Sequence, residues 1–285
     1  MNDEQCVRFL QWALPQLRMR WDGFRKVRGQ VKKRLARRLR ELALADTEAY
    51  REYLHRHAEE WHYLDTLCRI TISRFYRDKG VYAALSEEVL PTLAREAQQR
   101  RDKALRVWSA GCGGGEEPYT IAILWHLELR DRYPDLRIEI VATDADPAML
   151  ARAREGNYAF ASVKDLPPVL RDQAFEQAHG AYRLEPMYRR DVTFLEQDIR
   201  NEQAEGPFDL VLCRNFVFTY FDDALQSELT GRIVATMHGA AALVLGIHEQ
   251  LPADTRGLSP WFDRLRIYQL LMDGVERECP HLARP

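Results

Sequence analysis

Two adjacent carboxylates at the end of a glycine run mark where this chain could do chemistry: Glu116 and Glu117 in Ser109-Ala110-Gly111-Cys112-Gly113-Gly114-Gly115-Glu116-Glu117-Pro118-Tyr119. A glycine-rich turn lets a ligand approach the backbone, because no Cβ blocks it and positive φ costs little. Dinucleotide enzymes use such a turn to seat a pyrophosphate at a helix N-terminus. Here two acids follow the glycines at once; they suit a helix N-terminus but would repel a phosphate. A cationic nucleoside, S-adenosylmethionine with its ammonium and sulfonium, matches those charges better. Taken alone, the stretch also reads as a glycine turn with an acidic first helical turn and no ligand.

More polar residues stand where apolar runs end. Asp144 follows Ile140-Val141-Ala142-Thr143, and a carboxylate there can accept two hydrogen bonds from a ribose diol. It could equally cap a helix ahead of Asp146 and Pro147. Asp198, after Val192 to Gln197, can accept from an adenine amino group or be a solvated loop acid. Arg214-Asn215 follow Phe208-Asp209-Leu210-Val211-Leu212-Cys213, either as ligand-facing groups or as a buried structural pair. A nicotinamide dehydrogenase would share the glycines and the ribose acid, but not Glu116-Glu117 beside the loop. No histidine or cysteine constellation for catalysis emerges, and His126, His179, His238 and His248 read as packing or surface residues.

Such residues need a scaffold that gathers strand ends. From Leu105 the chain alternates strand-like and helix-like segments. The strands are expected at Arg106–Ser109, Ile138–Thr143, Val192–Glu196, Leu210–Cys213, Ala241–Gly246 and Arg266–Leu271. Helices fit at Glu117–Leu129, Pro147–Arg154 and Asp223–Met237. The alternation predicts a mostly parallel sheet covered on both faces, with ligands at the strands' carboxyl ends. An insertion over about residues 158–191 interrupts the rhythm and could hold a small hairpin around His179-Gly180. Residues 1 to about 70 read as all-helical: Val27, Val31, Leu35, Leu39 and Leu42 recur at helical spacing, and Asp46 is placed to cap a helix. Thr71 to Arg101 is expected to continue helical, with Pro91 kinking or breaking it. The domains expected are a basic helical one, residues 1–78, and a catalytic one, 79–285.

The balance of 41 basic and 43 acidic residues argues against a nucleic-acid partner. The distribution is uneven, however. Arg18 to Arg40 carries eleven basic residues against the single acid Asp22. Five scattered cysteines without metal or redox spacing, and no leader-like segment, point to a reducing cytoplasm. No apolar run approaches the roughly 20 residues that span a bilayer. No metal site is expected, and the protein is expected to be a monomer.

With these residues in hand, the sequence resembles the CheR family, chemotaxis receptor glutamate O-methyltransferases, over nearly its whole length. Val31 to Arg40 is similar to the family's basic N-terminal helix, and Thr71-Ile72-Ser73-Arg74-Phe75-Tyr76-Arg77 to its Asn-x-Thr-x-Phe-Phe-Arg motif. Arg106 to Cys112 with Gly115 to Tyr119, Ala142 to Asp146, and Phe208 to Asn215 match three further motifs. The resemblance implies a Rossmann-like class I methyltransferase sheet with a helical N-terminal domain and a small β-hairpin insertion. It also implies S-adenosylmethionine as cofactor and S-adenosylhomocysteine as product. Thr71, Ser73 and Arg77 would line the cofactor cleft, with Arg77 reaching from the helical segment to the methionyl carboxylate. Gly111 and Gly113 would form the loop, Glu117 would take the ammonium and Asp144 the ribose, and Asp198 and Ile199 the adenine end. Arg214 and Asn215 would floor the methyl group, and Tyr220, in Thr219-Tyr220-Phe221-Asp222, would stand near the substrate carboxylate.

The chain departs from the family pattern in places. Thr71 replaces an Asn, Ser73 a Thr and Tyr76 a Phe. Four residues rather than three separate Asn215 from Tyr220, and Gly246-Ile247-His248-Glu249-Gln250 partly resembles Gly-His-Ser-Glu. The hairpin lacks the Arg-Gly-x-Gly loop with which some members grip a receptor tail. The expected acceptor is an acidic chemoreceptor-type helix docking on Arg34, Arg37, Arg38 and Arg40. A small-molecule carboxylate, another protein, and a non-catalytic cofactor-binding docking module remain the alternatives.

Overall fold

The computed structural model describes Met1–Leu271 apart from His179; His179 and Cys279 thus lie outside the described residues. The described residues divide into two compact units: Met1–Ile72 with Phe216–Gln226, and Ser73–Asn215 with those from Ser227 onward. This division leaves Ser73–Asp78, expected in the helical domain, with the sheet, and gives a later segment to the helices. Local bonding explains the second difference. The Arg20 side chain donates to the carbonyls of Phe218 and Thr219, its backbone N–H to Tyr220 O at 2.9 Å, and Asp222 N–H to Arg18 O at 2.9 Å. Gly23 lies so close that a Cβ there would stand 2.2 Å from Thr219 O, so only glycine permits the approach.

In the first unit the helices Asp3–Ala13, Arg28–Glu41, Thr47–Arg56 and Glu59–Cys68 bury one apolar stripe each. Val31, Leu35 and Leu39 form the stripe of the basic helix, and Asp46 caps its helix through the N–H groups of Glu48 and Ala49. The helix expected from Thr71 begins only at Lys79; residues 71–78 are extended and turned, with Tyr76 and Asp78 at positive φ. The second unit's first helix is α over Lys79–Ala84, π over Leu85–Val89 and α again over Leu90–Gln99. Pro91 thus sits in the first turn after the π stretch, where its missing N–H disrupts least.

The strands are β1 (Ala104–Ala110), β2 (Arg137–Asp144), β3 (Asn157–Ala159), β4 (Phe175–Ala178), β5 (Ala181–Leu184), β6 (Val192–Glu196), β7 (Phe208–Leu212), β8 (Met237–Val244), β9 (Leu258–Phe262) and β10 (Ile267–Leu270). The main sheet runs β6-β2-β1-β7-β8-β10-β9, parallel except for β10 and β9. Its expected strands all form, and the fold is a Rossmann-like doubly wound sheet with an antiparallel edge pair. Trp108 on β1 pairs with Val141 on one side and Val211 on the other. The chain winds one way through β2 and β6 and the other way through β7 and β8. Ligands bind at such a reversal of winding, here beyond the carboxyl ends of β1 and β7. The strand β9 was not expected, because Pro260 lies inside it; proline is tolerated there since β9 is the sheet's edge. The insertion is a three-stranded antiparallel sheet, β3-β5-β4, one strand more than a hairpin.

Candidate functional site

The loop after β1 is held by its glycines. Gly111, Gly113 and Gly115 take φ of 74°, 54° and 85°. The N–H groups of Gly111 and Cys112 both donate to Thr143 O, at 2.8 and 3.0 Å, tying the loop to the end of β2. Asp144 completes the tie: its Oδ2 accepts from Gly113 N–H at 2.8 Å and its Oδ1 from Asp146 N–H at 2.9 Å. Backbone donors therefore fix the orientation of this carboxylate. Asp146, not Asp144, caps the helix Pro147–Glu155.

The helix Glu116–Leu124 follows the loop, and its two acids part company. Glu116 is buried, paired with Arg152 at 2.7 Å and hydrogen-bonded by Ser73. Glu117 accepts from Ser109 Oγ at 2.9 Å and from Arg214 Nη1 at 3.2 Å. Burial raises both carboxyls above their ordinary value, outweighing the arginines that pull them down. Burial also raises the Cys112 thiol, which leaves it without thiolate character.

Arg214, at the end of β7, is 2% exposed and is the hub. Its Nη2 donates to Asp78 Oδ2 at 2.7 Å and to Arg77 O at 3.2 Å, and its Nη1 also reaches the Tyr82 hydroxyl at 3.0 Å. Burial works against its charge, but Tyr82, Glu117 and Asp78 outweigh it and hold the guanidinium protonated. Its Nε has no partner among the described residues. Asn215 follows at φ 56°, with its N–H on Glu249 Oε2 at 2.7 Å.

Residues 71–263 match the family described as CheR methyltransferase, SAM binding domain. The chain belongs to the CheR methyltransferase family. It is an S-adenosylmethionine-dependent methyltransferase. It is 34% identical over 191 residues to a chemotaxis protein methyltransferase of Listeria monocytogenes, covering 66% of this chain and 70% of that one. A probable chemotaxis protein methyltransferase of Rhizobium etli is 30% identical over 258 residues, covering 87% and 94%. Among solved structures, SAM-bound CalS10, an amino pentose methyltransferase from Micromonospora echinaspora, aligns with a TM-score of 0.32 at 21% identity, over 62% of this chain and 58% of that one.

In this CheR-family methyltransferase, Ser73, Arg77, Gly111, Gly113, Glu117, Asp144, Asp198, Ile199, Arg214 and Asn215 all lie in the second unit. Arg77, expected to reach over from the helical domain, belongs to the sheet's own unit. The Asp198 carboxylate closes on Arg200, whose N–H, Nε and Nη2 donate at 3.0, 2.9 and 2.5 Å; Ile199 is buried. Thr71 and Tyr220 fall in the first unit. Thr71 is exposed, and the Tyr220 ring packs on Phe24 with centroids 5.0 Å apart.

Asp78, Tyr82 and Glu249 were not among the expected site residues. Asp78 directly follows Arg77, and Glu249 closes the Gly246 motif, so each had a signal beside it. The group of residues suits the cofactor. Glu117, Asp78 and the Glu249 that bears on Glu117 outnumber Arg214 and Arg77. The excess of negative charge fits an ammonium and a sulfonium, not a phosphate.

Proposed function

We propose that the protein methylates carboxylates, with glutamate side chains of a chemoreceptor-type protein as the acceptor. The observation that carries the cofactor half of this reading is Asp144, fixed by two backbone N–H groups beside the glycine loop. In that reading Asp144 takes the ribose hydroxyls, Glu117 the ammonium and Arg77 the methionyl carboxylate. Thr71 and Ser73 line the cleft, and Asp198 and Ile199 face the adenine. S-adenosylmethionine supplies, when bound, a methyl carbon made electrophilic by the sulfonium. Arg214 and Asn215 floor the reaction centre, and Tyr220 orients the acceptor.

A glutamate is already ionised at neutral pH, with a reference pKa of about 4.3, so no general base has to be supplied. The groups gathered at the centre accord with that: carboxylates, a guanidinium and an amide. The protein's contribution is then positioning and exclusion of water. The relatives' names support the chemotaxis acceptor. We also propose a monomer of the cytoplasm. The four described cysteines are buried free thiols, and no described helix is long and apolar enough to cross a membrane.

Transfer from methyl-labelled cofactor to a receptor cytoplasmic fragment tests the acceptor. A glutamyl methyl ester releases its label as volatile methanol in alkali. Base-stable label, or label only on a small carboxylate, would overturn the receptor reading. For the cofactor half, Asp144→Ala should weaken calorimetric S-adenosylhomocysteine binding about tenfold or more, by loss of charge-assisted hydrogen bonds. Unchanged affinity would remove Asp144 from the site.

A further inference from the structure

At the carboxyl ends of β7 and β8, Cys213 N–H donates to Val244 O at 2.9 Å. Just beyond it, the N–H groups of part-buried Asn215 and buried Gly246 need acceptors. One side chain answers both. Glu249 Oε2 accepts from Asn215 N–H at 2.7 Å and from Gly246 N–H at 2.7 Å, and Glu249 N–H donates back to Gly246 O at 2.8 Å. The carboxylate is buried, so these are short, charge-assisted bonds shielded from water.

The bonds constrain more than two amides. Asn215 is held in the left-handed region, which Asn tolerates better than most residues. A Cβ on Gly246 would stand 2.8 Å from Asn215 Oδ1 and 2.8 Å from Glu249 Oε2, so the Asn215 amide lies directly over a bare backbone. Arg214, one residue earlier, spends its guanidinium on Asp78 and Glu117. The backbone that launches both Arg214 and Asn215 is therefore pinned from the neighbouring strand end. Of the partly matching stretch Gly246-Ile247-His248-Glu249, the first and last residues make the lock, while Ile247 is half-buried and His248 exposed.

We propose that Glu249 is a positioning residue for methyl transfer, locking the Arg214–Asn215 strand end to the turn after β8. The proposal rests on the proposed function, in which Asn215 faces the cofactor. Its test uses S-adenosylhomocysteine affinity by calorimetry, with thermal melting as control. Glu249→Ala should weaken affinity about tenfold, and Glu249→Gln, which keeps an acceptor oxygen, should recover most of that loss. Gly246→Ala should weaken it comparably with the glutamate still in the chain, by displacing the Asn215 amide and the Glu249 carboxylate from each other. It carries the test if Glu249→Ala does not fold.

In an Asn215→Ala background, Glu249→Ala should cost little further, because coupled residues are not additive. A lowered melting temperature with wild-type affinity would reduce Glu249 to a structural residue. Full additivity with Asn215→Ala, or Glu249→Gln as weak as Glu249→Ala, would also overturn the lock. Wild-type protein that binds the product but methylates no receptor fragment would sink the acceptor reading alone, leaving the calorimetry to decide the lock.

Discussion

Each compact unit buries an arginine against carboxylates, and the two arrangements differ in balance. In the helical unit Arg38 forks onto Glu60, Nε to Oε1 at 2.9 Å and Nη2 to Oε2 at 2.6 Å, and lies 3.9 Å over the Tyr63 ring. The Tyr50 hydroxyl donates to the same carboxylate at 2.6 Å. Burial pushes Glu60 up, but the hydrogen bonds from Arg38 and Tyr50 win, and its carboxyl ends below the ordinary value. In the sheet unit Arg214 faces Glu117 and Asp78, its Nε without a partner among the described residues, and burial leaves Glu117 raised. In the first, the buried carboxylate of Glu60 is matched by its donors and the helices are held together. Arg38 also takes Glu41 at 3.2 Å, but that carboxylate is solvent-exposed and shared with Arg37. The second carries surplus negative charge at the reversal of the sheet, which costs stability unless a cation arrives. A buried ion pair alone says little about function; the lack of balance is what separates these two.

Removing the arginines should show the largest effect. Arg214→Met strands two carboxylates in a buried site and should cost about 3–5 kcal/mol in urea unfolding, with cofactor binding lost. Arg38→Met should cost less, about 2–3 kcal/mol, because Arg38 is 20% exposed and Tyr50 still serves Glu60. Equal losses, or intact cofactor affinity in the Arg214 variant, would break the contrast.

The two acids should also give opposite pH signatures. Glu60, lowered in the fold, contributes stability that is present above its unfolded pKa and lost as pH falls through its folded one. Glu117, raised in the fold, binds its proton more tightly when native. It costs stability at neutral pH and relieves that cost as pH falls through its folded value. Glu117→Gln should therefore melt about 2–4 °C above wild type near neutral pH while losing cofactor affinity, and the difference should vanish in acid. Glu60→Gln should melt lower, with affinity kept. A Glu117→Gln variant that melts below wild type at neutral pH would contradict the surplus-charge account.

What could be read in advance came from local rules. The sheet strands showed as apolar runs of the right length. The glycine loop, Asp144 and Arg214-Asn215 showed because chemistry at a strand end needs particular residue types there. Edge strand β9 hid behind Pro260, and the non-helical turn at residues 71–78 behind the helical segments on either side of it, although six of its eight residues are weak helix formers. Asp78, Tyr82 and Glu249 reach site partners 34 to 136 positions away, and a neighbouring motif marks a place in the chain without naming such a partner. The same blindness made Arg34 and Arg38 look outward. Arg34 donates to the carbonyls of Leu67 and Arg69 at 3.0 and 2.6 Å, and Arg38 is held by Glu60.

That correction sharpens the smallest expected effect. With Arg28 and Lys32 on Asp3 and with Arg34 and Arg38 engaged within the helical unit, the charges the basic helix presents to a partner come down to Lys33, Arg37 and Arg40, all exposed. Arg37 has only an exposed i,i+4 contact with Glu41 at 3.5 Å, and the Arg40 side chain bonds Ala36 O at 3.3 Å. Such surface pairs contribute at most about 1 kcal/mol, so reversing both arginines should leave melting nearly unchanged. If an acidic receptor helix docks there, Arg37→Glu with Arg40→Glu should slow methylation of the receptor fragment about three- to tenfold at low salt, through association rate. The penalty should shrink as salt screens the approach, and S-adenosylhomocysteine affinity should not move. Arg34→Ala offers the contrast. It should act mainly on stability, because its carbonyl partners lose a donor, and should leave the salt dependence as in wild type. Charge reversal that changes neither rate nor salt slope would take the basic helix out of acceptor recognition.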